Sequence, residues 1–142
     1  MDDVEYEYRM NLKNEYDYDV FLICPVRDAS DEQKEKMKAY IAKLKGAGRR
    51  VYYPADDTVQ KGDNTGLRIC RDNARAIWKS REVHIFFDPK SEGSRFDLGV
   101  AFAFDKTLYI VNPDDFELTE EKSFANMITA WSKLWESKIK IK

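Results

Sequence analysis

The 142-residue chain has few of the residues from which metal centres and disulfide frameworks are built. It contains one histidine, His84, and two cysteines, Cys24 and Cys70, which form no CxxC pair. These residues do not supply the ligand spacing of a zinc site or the even, regular spacing of a disulfide framework. We therefore expect no dedicated metal site; as a separate expectation, the activity needs no organic cofactor.

The chain also lacks a concentrated charge and a long apolar run. Its net charge is −2, with both signs mixed along the sequence, so a nucleic-acid polymer is not the expected partner. No segment approaches the roughly 20 apolar residues that span a bilayer, and the acidic N-terminus does not resemble a signal peptide. These absences predict a cytoplasmic protein with no membrane partner.

What the chain does have is a globular composition, with 43% hydrophobic and 13% aromatic residues. Residues 1–18 are polar and acidic and are interpreted as a flexible N-terminal arm. The alternative is that the tyrosines of this arm dock on the surface or on a second subunit. Residues 19–137 then form a single domain.

Four short apolar runs alternate with four segments of helical periodicity. Strands are predicted over 20–24, 50–53, 83–87 and 108–111, and each of these four runs is followed within two residues by a proline. The first helix begins at Ser30, whose hydroxyl and Gln33 match a capping box. A second helix is predicted over 67–78, and a third carries Phe96, Val100 and Phe104 on one face. The last begins at the cap signal Thr119 and runs past Leu134.

A strand–helix alternation repeated four times predicts a parallel sheet with helices on both faces. Right-handed crossovers restrict the topology to a Rossmann-like, flavodoxin-like doubly wound fold of three layers, with strand order about 2-1-3-4. In such a sheet, ligands bind at the carboxyl ends of the strands, where the winding direction reverses. This crevice lies between the first and third strands.

Two loops border the predicted crevice. The loop after the first strand carries Cys24, Pro25 and Arg27, and the loop after the third strand carries Ser91, Gly93 and Ser94. The second loop runs into a helix, whose free N–H groups and positive dipole end favour an anion such as phosphate. The guanidinium of Arg27 suits the same charge.

Asp97 follows this loop and has two interpretations. Its carboxylate could face the crevice and act as a nucleophile or stabilise an oxocarbenium ion during glycosyl cleavage. Alternatively, Ser94 and Asp97 have the spacing of a capping box, in which Asp97 only returns a hydrogen bond to the backbone.

The stretch 91–101, SEGSRFDLGVA, resembles the signature of the nucleoside 2-deoxyribosyltransferase superfamily, as does FLICPVR over 21–27. The superfamily includes base-swapping transferases and hydrolases of nucleoside 5′-monophosphates. The resemblance implies cleavage or transfer at the N-glycosidic bond of a small nucleoside or nucleotide. It assigns the nucleophile to Asp97, the sugar or phosphate to Ser91, Gly93 and Ser94, and a phosphate contact to Arg27.

The same resemblance extends to weaker matches. It implies that Asp72 assists at the base, that Asp57 helps to enclose the base, and that Asn126 and Met127 lie in a segment that reaches a neighbouring subunit's site. A homodimer or larger homo-oligomer is implied as well. The apolar stripe Met127, Ile128, Trp131 and Trp135 is compatible with that interface and equally with burial inside one subunit.

Two positions depart from the family pattern. The nucleophile position holds Asp97 where the family has glutamate, and Ala125 stands where the monophosphate hydrolases have a phosphate-binding serine. These departures leave two alternatives open: a nucleotide-binding or sensing module without turnover, and a glycohydrolase of NAD-type dinucleotides. His84, in an apolar strand, is interpreted as a hydrogen-bonded core residue.

Overall fold

The sheet has four parallel strands, β1 (Tyr18–Ile23), β2 (Val51–Tyr52), β3 (Ser80–Ile85) and β4 (Thr107–Ile110). The computed structural model describes residues 16–141, with side chains through residue 134. Strand order is β2-β1-β3-β4, and every pairing is parallel. The predicted strand order and the predicted flavodoxin-like class are therefore confirmed.

Five α-helices connect and cover these strands: α1 (Asp31–Gly46), the single turn α2 (Pro54–Asp57), α3 (Leu67–Trp78), α4 (Glu92–Ala103) and α5 (Phe124–Ile141). A 3₁₀ turn, Pro113–Asp115, follows β4. The Ser30 hydroxyl accepts from Gln33 N and the Gln33 side chain accepts from Ser30 N, so the predicted capping box at the head of α1 is confirmed.

The two faces of the sheet are covered unequally. Met37, Ile41 and Leu44 of α1 pack on one face, while α3, α4 and α5 pack on the other through residues such as Ile77, Leu98 and Ile128. The central strands β1 and β3 lie between the layers, and their apolar side chains are fully buried. This burial on both faces explains why their sequences are continuous apolar runs rather than alternating ones.

His84 is buried on the α1 side of β3, and its core role is confirmed. Its Nδ1 atom is hydrogen-bonded to the Tyr40 hydroxyl, and its Nε2 atom lies 3.0 Å from Glu82 Oε1. Glu82 also forms an ion pair with Arg49. Both ring nitrogens of His84 thus have hydrogen-bond partners, one on α1 and one on β3, as a buried polar group requires.

The predicted start of the last helix is wrong by about one turn. Helix α5 begins at Phe124, because Ser123 Oγ accepts from Asn126 N and serves as the cap. The predicted cap, Thr119, lies in the loop before the helix. The side chain of Asn126 folds back onto this loop and bonds the backbone of Thr119 and Glu121.

The predicted apolar face of the third helix is wrong for two of its three residues, since only Val100 packs, partly buried, against the core. Phe96 and Phe104 of α4 are exposed, and the residues that pack inward are Ser94, Asp97, Leu98 and Ala101. The hydrophobic pattern therefore pointed to the solvent-exposed face of α4 as the buried one. The face that packs inward carries the carboxyl group of Asp97.

Within the predicted N-terminal arm, Tyr16 lies in the described part of the chain. Arg81 Cζ and Lys106 Nζ lie 5.1 and 5.0 Å from the centre of its ring. Tyr6 and Tyr8 fall outside the described residues.

Candidate functional site

The loops after β1 and β3 begin side by side at the carboxyl edge of the sheet. Phe86 N donates to Ile23 O at 2.8 Å, which extends the pairing of the two strands beyond their ends. Asn112, after β4, holds the third strand's exit in place, because its side-chain amide exchanges two 2.9 Å hydrogen bonds with the backbone of Phe87. The crevice predicted between the first and third strands is therefore bordered by anchored backbone.

Helix α4 begins at this edge with Ser91 as its N-cap. Ser91 Oγ accepts from Ser94 N at 3.2 Å and lies 2.8 Å from Ser94 Oγ. The capping-box interpretation of Asp97 is wrong, because Asp97 lies in the second turn of a helix already capped by Ser91. Gly93 is exposed in the first turn, where backbone N–H groups have no intrahelical partner.

Asp97 is buried in the interface between α4 and α3, and only 6% of the residue is exposed. Asn73 Nδ2 donates to Asp97 Oδ2 at 3.5 Å. Loss of water raises the pKa of Asp97 to about 7, and the Asn73 hydrogen bond opposes this shift only in part. At neutral pH, the group is divided between a neutral acid and a carboxylate.

Asn73 connects Asp97 to a chain of buried hydroxyl groups. Thr58 Oγ1 donates to Asn73 Oδ1 at 2.7 Å, and the Tyr52 hydroxyl lies 2.5 Å from the same Thr58 oxygen. Tyr52 belongs to β2, and Thr58 directly follows α2. Asn73 belongs to α3 and Asp97 to α4. The four side chains form one polar network under the carboxyl end of the sheet, with every member buried.

Sequence reasoning missed Asn73 and Thr58. A signal for Asn73 was present, because Asn73 stands three residues after Cys70 and four before Ile77, on the apolar stripe of the second helix. A polar residue on a core-facing stripe needs a buried partner. Thr58 carries no comparable signal, since it lies in an irregular segment.

The remaining residues of the first loop divide between buried and exposed positions. Cys24 and Pro25 are buried. Burial is the main cause that raises the pKa of the Cys24 thiol, and the nearby charge of Asp97 raises it further. A raised pKa disfavours a reactive thiolate. Arg27 is exposed and available to an anion. Asp57 Oδ2 accepts from Tyr53 N at 2.7 Å, so its carboxylate holds the turn α2.

The structure does not bring Asp72 to Asp97. Asp72 lies on the exposed side of α3, and its carboxylate pairs with Arg68 at 3.3 Å, one turn earlier. The side-chain amide of Asn126 donates a hydrogen bond to the loop before α5, and Met127 is exposed. Ile128 and Trp131 are buried in the core, so these two residues of the apolar stripe serve internal packing; Trp135 lies outside the described side chains.

Two properties of the described residues bear on the class of site. No group of three or more His, Cys, Asp or Glu side chains in residues 16–134 is placed to hold a metal ion. Among the helices that the structure describes, none combines the length and the apolar character needed to cross a bilayer.

The chain is similar in structure to the TIR domain of the Toll-related receptor TRR-2 from Hydra magnipapillata. The match has a TM-score of 0.54 at 17% sequence identity, and it covers 77% of this chain and 78% of the receptor domain. No protein-family model and no curated protein matches the sequence. The similarity defines the fold as TIR-like, within the flavodoxin-like class.

The assignment to the nucleoside 2-deoxyribosyltransferase superfamily is therefore wrong, and the nucleoside N-glycosidase function that it implied has no support from the comparisons. The structure explains why the motif over 91–101 misled. Its serines cap α4, and its Leu98 and Ala101 pack on the sheet, so these residues meet needs of the flavodoxin-like fold. A short motif at a helix start is not specific to one superfamily of that fold.

Proposed function

We propose that this chain is a nucleotide-sensing module that binds an NAD-type dinucleotide at the carboxyl ends of β1 and β3. The fold it shares with a receptor's TIR domain supports a signalling role rather than a metabolic one. The strand order supports the location, because the winding of a 2-1-3-4 sheet reverses between β1 and β3. The head of α4 and the exposed Arg27 supply groups that suit a pyrophosphate.

The state of Asp97 is the observation that carries this proposal. A buried carboxyl group that is about half protonated near pH 7 is a weaker nucleophile than a full carboxylate, and it repels a bound phosphate less. The network from Tyr52 to Asp97 holds the acid in one position. Such an arrangement suits recognition better than turnover.

The test is thermal unfolding and calorimetry of the purified chain with NAD, ADP-ribose, AMP and nicotinamide. We expect NAD and ADP-ribose to raise Tm and nicotinamide alone to leave it unchanged. Arg27→Ala should weaken NAD binding about tenfold, the equivalent of ~1.4 kcal/mol, because it removes a charge-assisted phosphate contact. Arg68→Ala is the matched control, since Arg68 pairs with Asp72 on the outer side of α3. Absence of stabilisation by every nucleotide would overturn the proposal.

Cleavage of the same ligand is the second candidate, and the pKa of about 7 for Asp97 favours it, because the carboxylate is present at neutral and alkaline pH. In this reaction, the bond from the ribose C1′ to the nicotinamide nitrogen breaks, and nicotinamide leaves with the bonding electrons. Water adds to C1′ and loses a proton, which yields ADP-ribose. Asp97 would stabilise the oxocarbenium ion.

Chromatography of NAD incubated with the protein separates the two candidates. Cleavage predicts nicotinamide release that rises as pH passes through about 7 and is lost in Asp97→Asn, because that variant cannot ionise. If wild type and Asp97→Glu both bind NAD and neither releases nicotinamide, the hydrolase is excluded and the sensing module is supported.

A further inference from the structure

The outer edge of β4 is unpaired among the strands that the structure describes. β4 pairs with β3 alone, and this pairing continues to Val111, whose N–H donates to Ile85 O at 2.8 Å. Backbone groups of a parallel strand point alternately to its two sides, so those of Leu108 and Ile110 point away from β3. A row of outward N–H and C=O groups at a sheet edge is a template for one more strand.

The two faces of β4 have different surroundings. Leu108 and Ile110 point to the layer of α3, α4 and α5 and contact the apolar cluster of that layer. On the opposite face, the Tyr109 ring lies against His84 with centroids 5.0 Å apart, and Tyr109 remains 40% exposed. A strand added beside β4 therefore needs one apolar side, toward the helix layer, and one polar side, open to water.

The sequence of residues 3–13, DVEYEYRMNLK, has this two-sided pattern. Apolar and polar residues alternate through the whole stretch, and the apolar ones are Val4, Tyr6, Tyr8, Met10 and Leu12. A period of two is typical of a half-buried strand, whereas an amphipathic helix repeats every three to four residues. The pattern therefore predicts a strand in the part of the chain that precedes β1.

The chain immediately before β1 already lies at the amino end of β3 and β4. The Tyr16 ring is 5.1 Å from Arg81 Cζ in β3 and 5.0 Å from Nζ of Lys106, the residue before β4. With strand order β2-β1-β3-β4, a position beyond β4 lies three strand spacings from β1, or roughly 15 Å. The chain from residue 11 to Tyr18 spans about 23 Å when extended, so it is long enough to make this connection.

We propose that the free edge of β4 is a docking site for residues 7–11 of the same chain, which add to the sheet as an antiparallel fifth strand. The direction follows from the connection, because the segment must end at the amino end of β4 in order to enter β1. An antiparallel edge strand on an otherwise parallel sheet is common in doubly wound folds. The added strand covers an edge that would otherwise be open to pairing with other chains.

The faces of the two strands set their register in steps of two. Opposed residues of an antiparallel pair lie on the same face, so the apolar residues of the segment must lie opposite the inward-facing residues of β4. The length of the connection then places Met10 opposite Leu108, against the helix layer. It places Arg9 opposite Tyr109, on the open face.

The first test is amide hydrogen exchange of the full chain, read at Leu108 and Ile110, whose N–H groups would donate to the added strand. Met10→Asp places a charge against the helix layer and should speed exchange at both amides about tenfold or more. Arg9→Asp is the matched control on the open face and should leave both rates near those of wild type. Unchanged exchange in β1 checks that each variant folds. Equal rates in the two variants, or unprotected amides in wild type, overturn the proposal.

The second test identifies the occupant of the edge by cysteine cross-linking. Arg9→Cys/Tyr109→Cys should form a disulfide within one chain on oxidation, because opposed Cα atoms of an antiparallel pair lie about 4.5–5.5 Å apart, within disulfide range. Arg9→Cys/Val59→Cys is the control and should form far less, since Val59 is 66% exposed and follows the opposite edge strand, β2. Non-reducing electrophoresis and peptide mapping separate the products.

Two results of the cross-linking would overturn the proposal. Equal yields from the two cysteine pairs would show that the segment has no fixed place beside β4. A disulfide that joins two copies would show that the strand comes from another molecule. Binding of NAD by wild type is measured separately, because the β4 edge and the nucleotide site can fail independently.

Discussion

At the residue scale, Asp97 couples burial to pH. Its pKa rises from 3.8 in the unfolded chain to about 7 in the fold, so the native state binds more protons between these values. Stability therefore falls as pH rises from about 4 to about 7 and changes no further through this group above that range. The penalty is at most about 4 kcal/mol, the equivalent of some three pKa units.

Asp97→Asn removes this dependence. The amide keeps an oxygen for Asn73 and cannot ionise, so the variant should be close to wild type at pH 4 and exceed it in stability at pH 8 by up to a few kcal/mol. Urea unfolding at both pH values measures the difference. Asp72→Asn, on the exposed side of α3, is the control and should keep the wild-type slope. If the free energy of unfolding changed with pH equally in Asp97→Asn and in wild type, Asp97 would ionise as freely in the fold as in the unfolded chain.

The network behind Asp97 explains why the helix tolerates a carboxyl group on its buried face. Asn73 satisfies Asp97 and Thr58 at once, with its amide nitrogen and its amide oxygen. A buried polar chain is stabilising only when each member has a partner, and loss of one member exposes the others to the full cost of desolvation.

At the element scale, α1 is held by an N-terminal cap in addition to a short apolar stripe. It covers one face of the sheet with three buried apolar residues in sixteen, and the capping box satisfies two of its free backbone N–H groups. The helix is also tied to the loop after β3, because Gln33 Nε2 donates to Asp88 Oδ2 at 3.0 Å. The side chain of Gln33 thus completes the cap of α1 and also bonds the loop that borders the crevice.

Ser30→Ala should lower the free energy of unfolding by about 1 kcal/mol, because the backbone N–H of Gln33 loses its acceptor. Denaturant unfolding with an unchanged m-value measures the loss. Glu35→Ala, exposed in the same helix, should change stability by no more than about 0.5 kcal/mol. Equal effects of the two substitutions would contradict a stabilising role for the cap.

At the scale of the whole molecule, stability is concentrated in the centre of the sheet. β1 pairs with strands on both sides and β3 does so as well, whereas β2 contributes two residues and β4 pairs only with β3 among the described strands. Both apolar clusters include side chains of β1, and the larger cluster also includes Val83 and Ile85 of β3.

Amide hydrogen exchange should therefore be slowest at Leu22 and Ile23 of β1 and at Val83 and Ile85 of β3, where opening requires global unfolding. The amides of β4 should exchange faster by at least tenfold, since this strand opens locally from the edge of the described sheet. NMR or mass spectrometry of exchanged peptides measures the order. Protection of β4 equal to that of β1 would contradict it.

The sequence alone determined the strand order and class, because apolar runs, prolines and caps are local signals and right-handed crossovers leave few topologies. It also placed Ser91 and Asp97 at the carboxyl edge of the sheet. It did not determine which side of α4 packs inward, because Phe96 and Phe104 are more apolar than the residues that do.

Only the tertiary structure decided that Asn73 contacts Asp97, that Asp72 faces solvent, and that Ile128 and Trp131 are buried. These outcomes depend on the angle at which one helix meets another and on contacts between residues distant in sequence, as with Asn73 and Asp97. Burial and a partner set the pKa of Asp97, and neither is encoded by its neighbours along the chain.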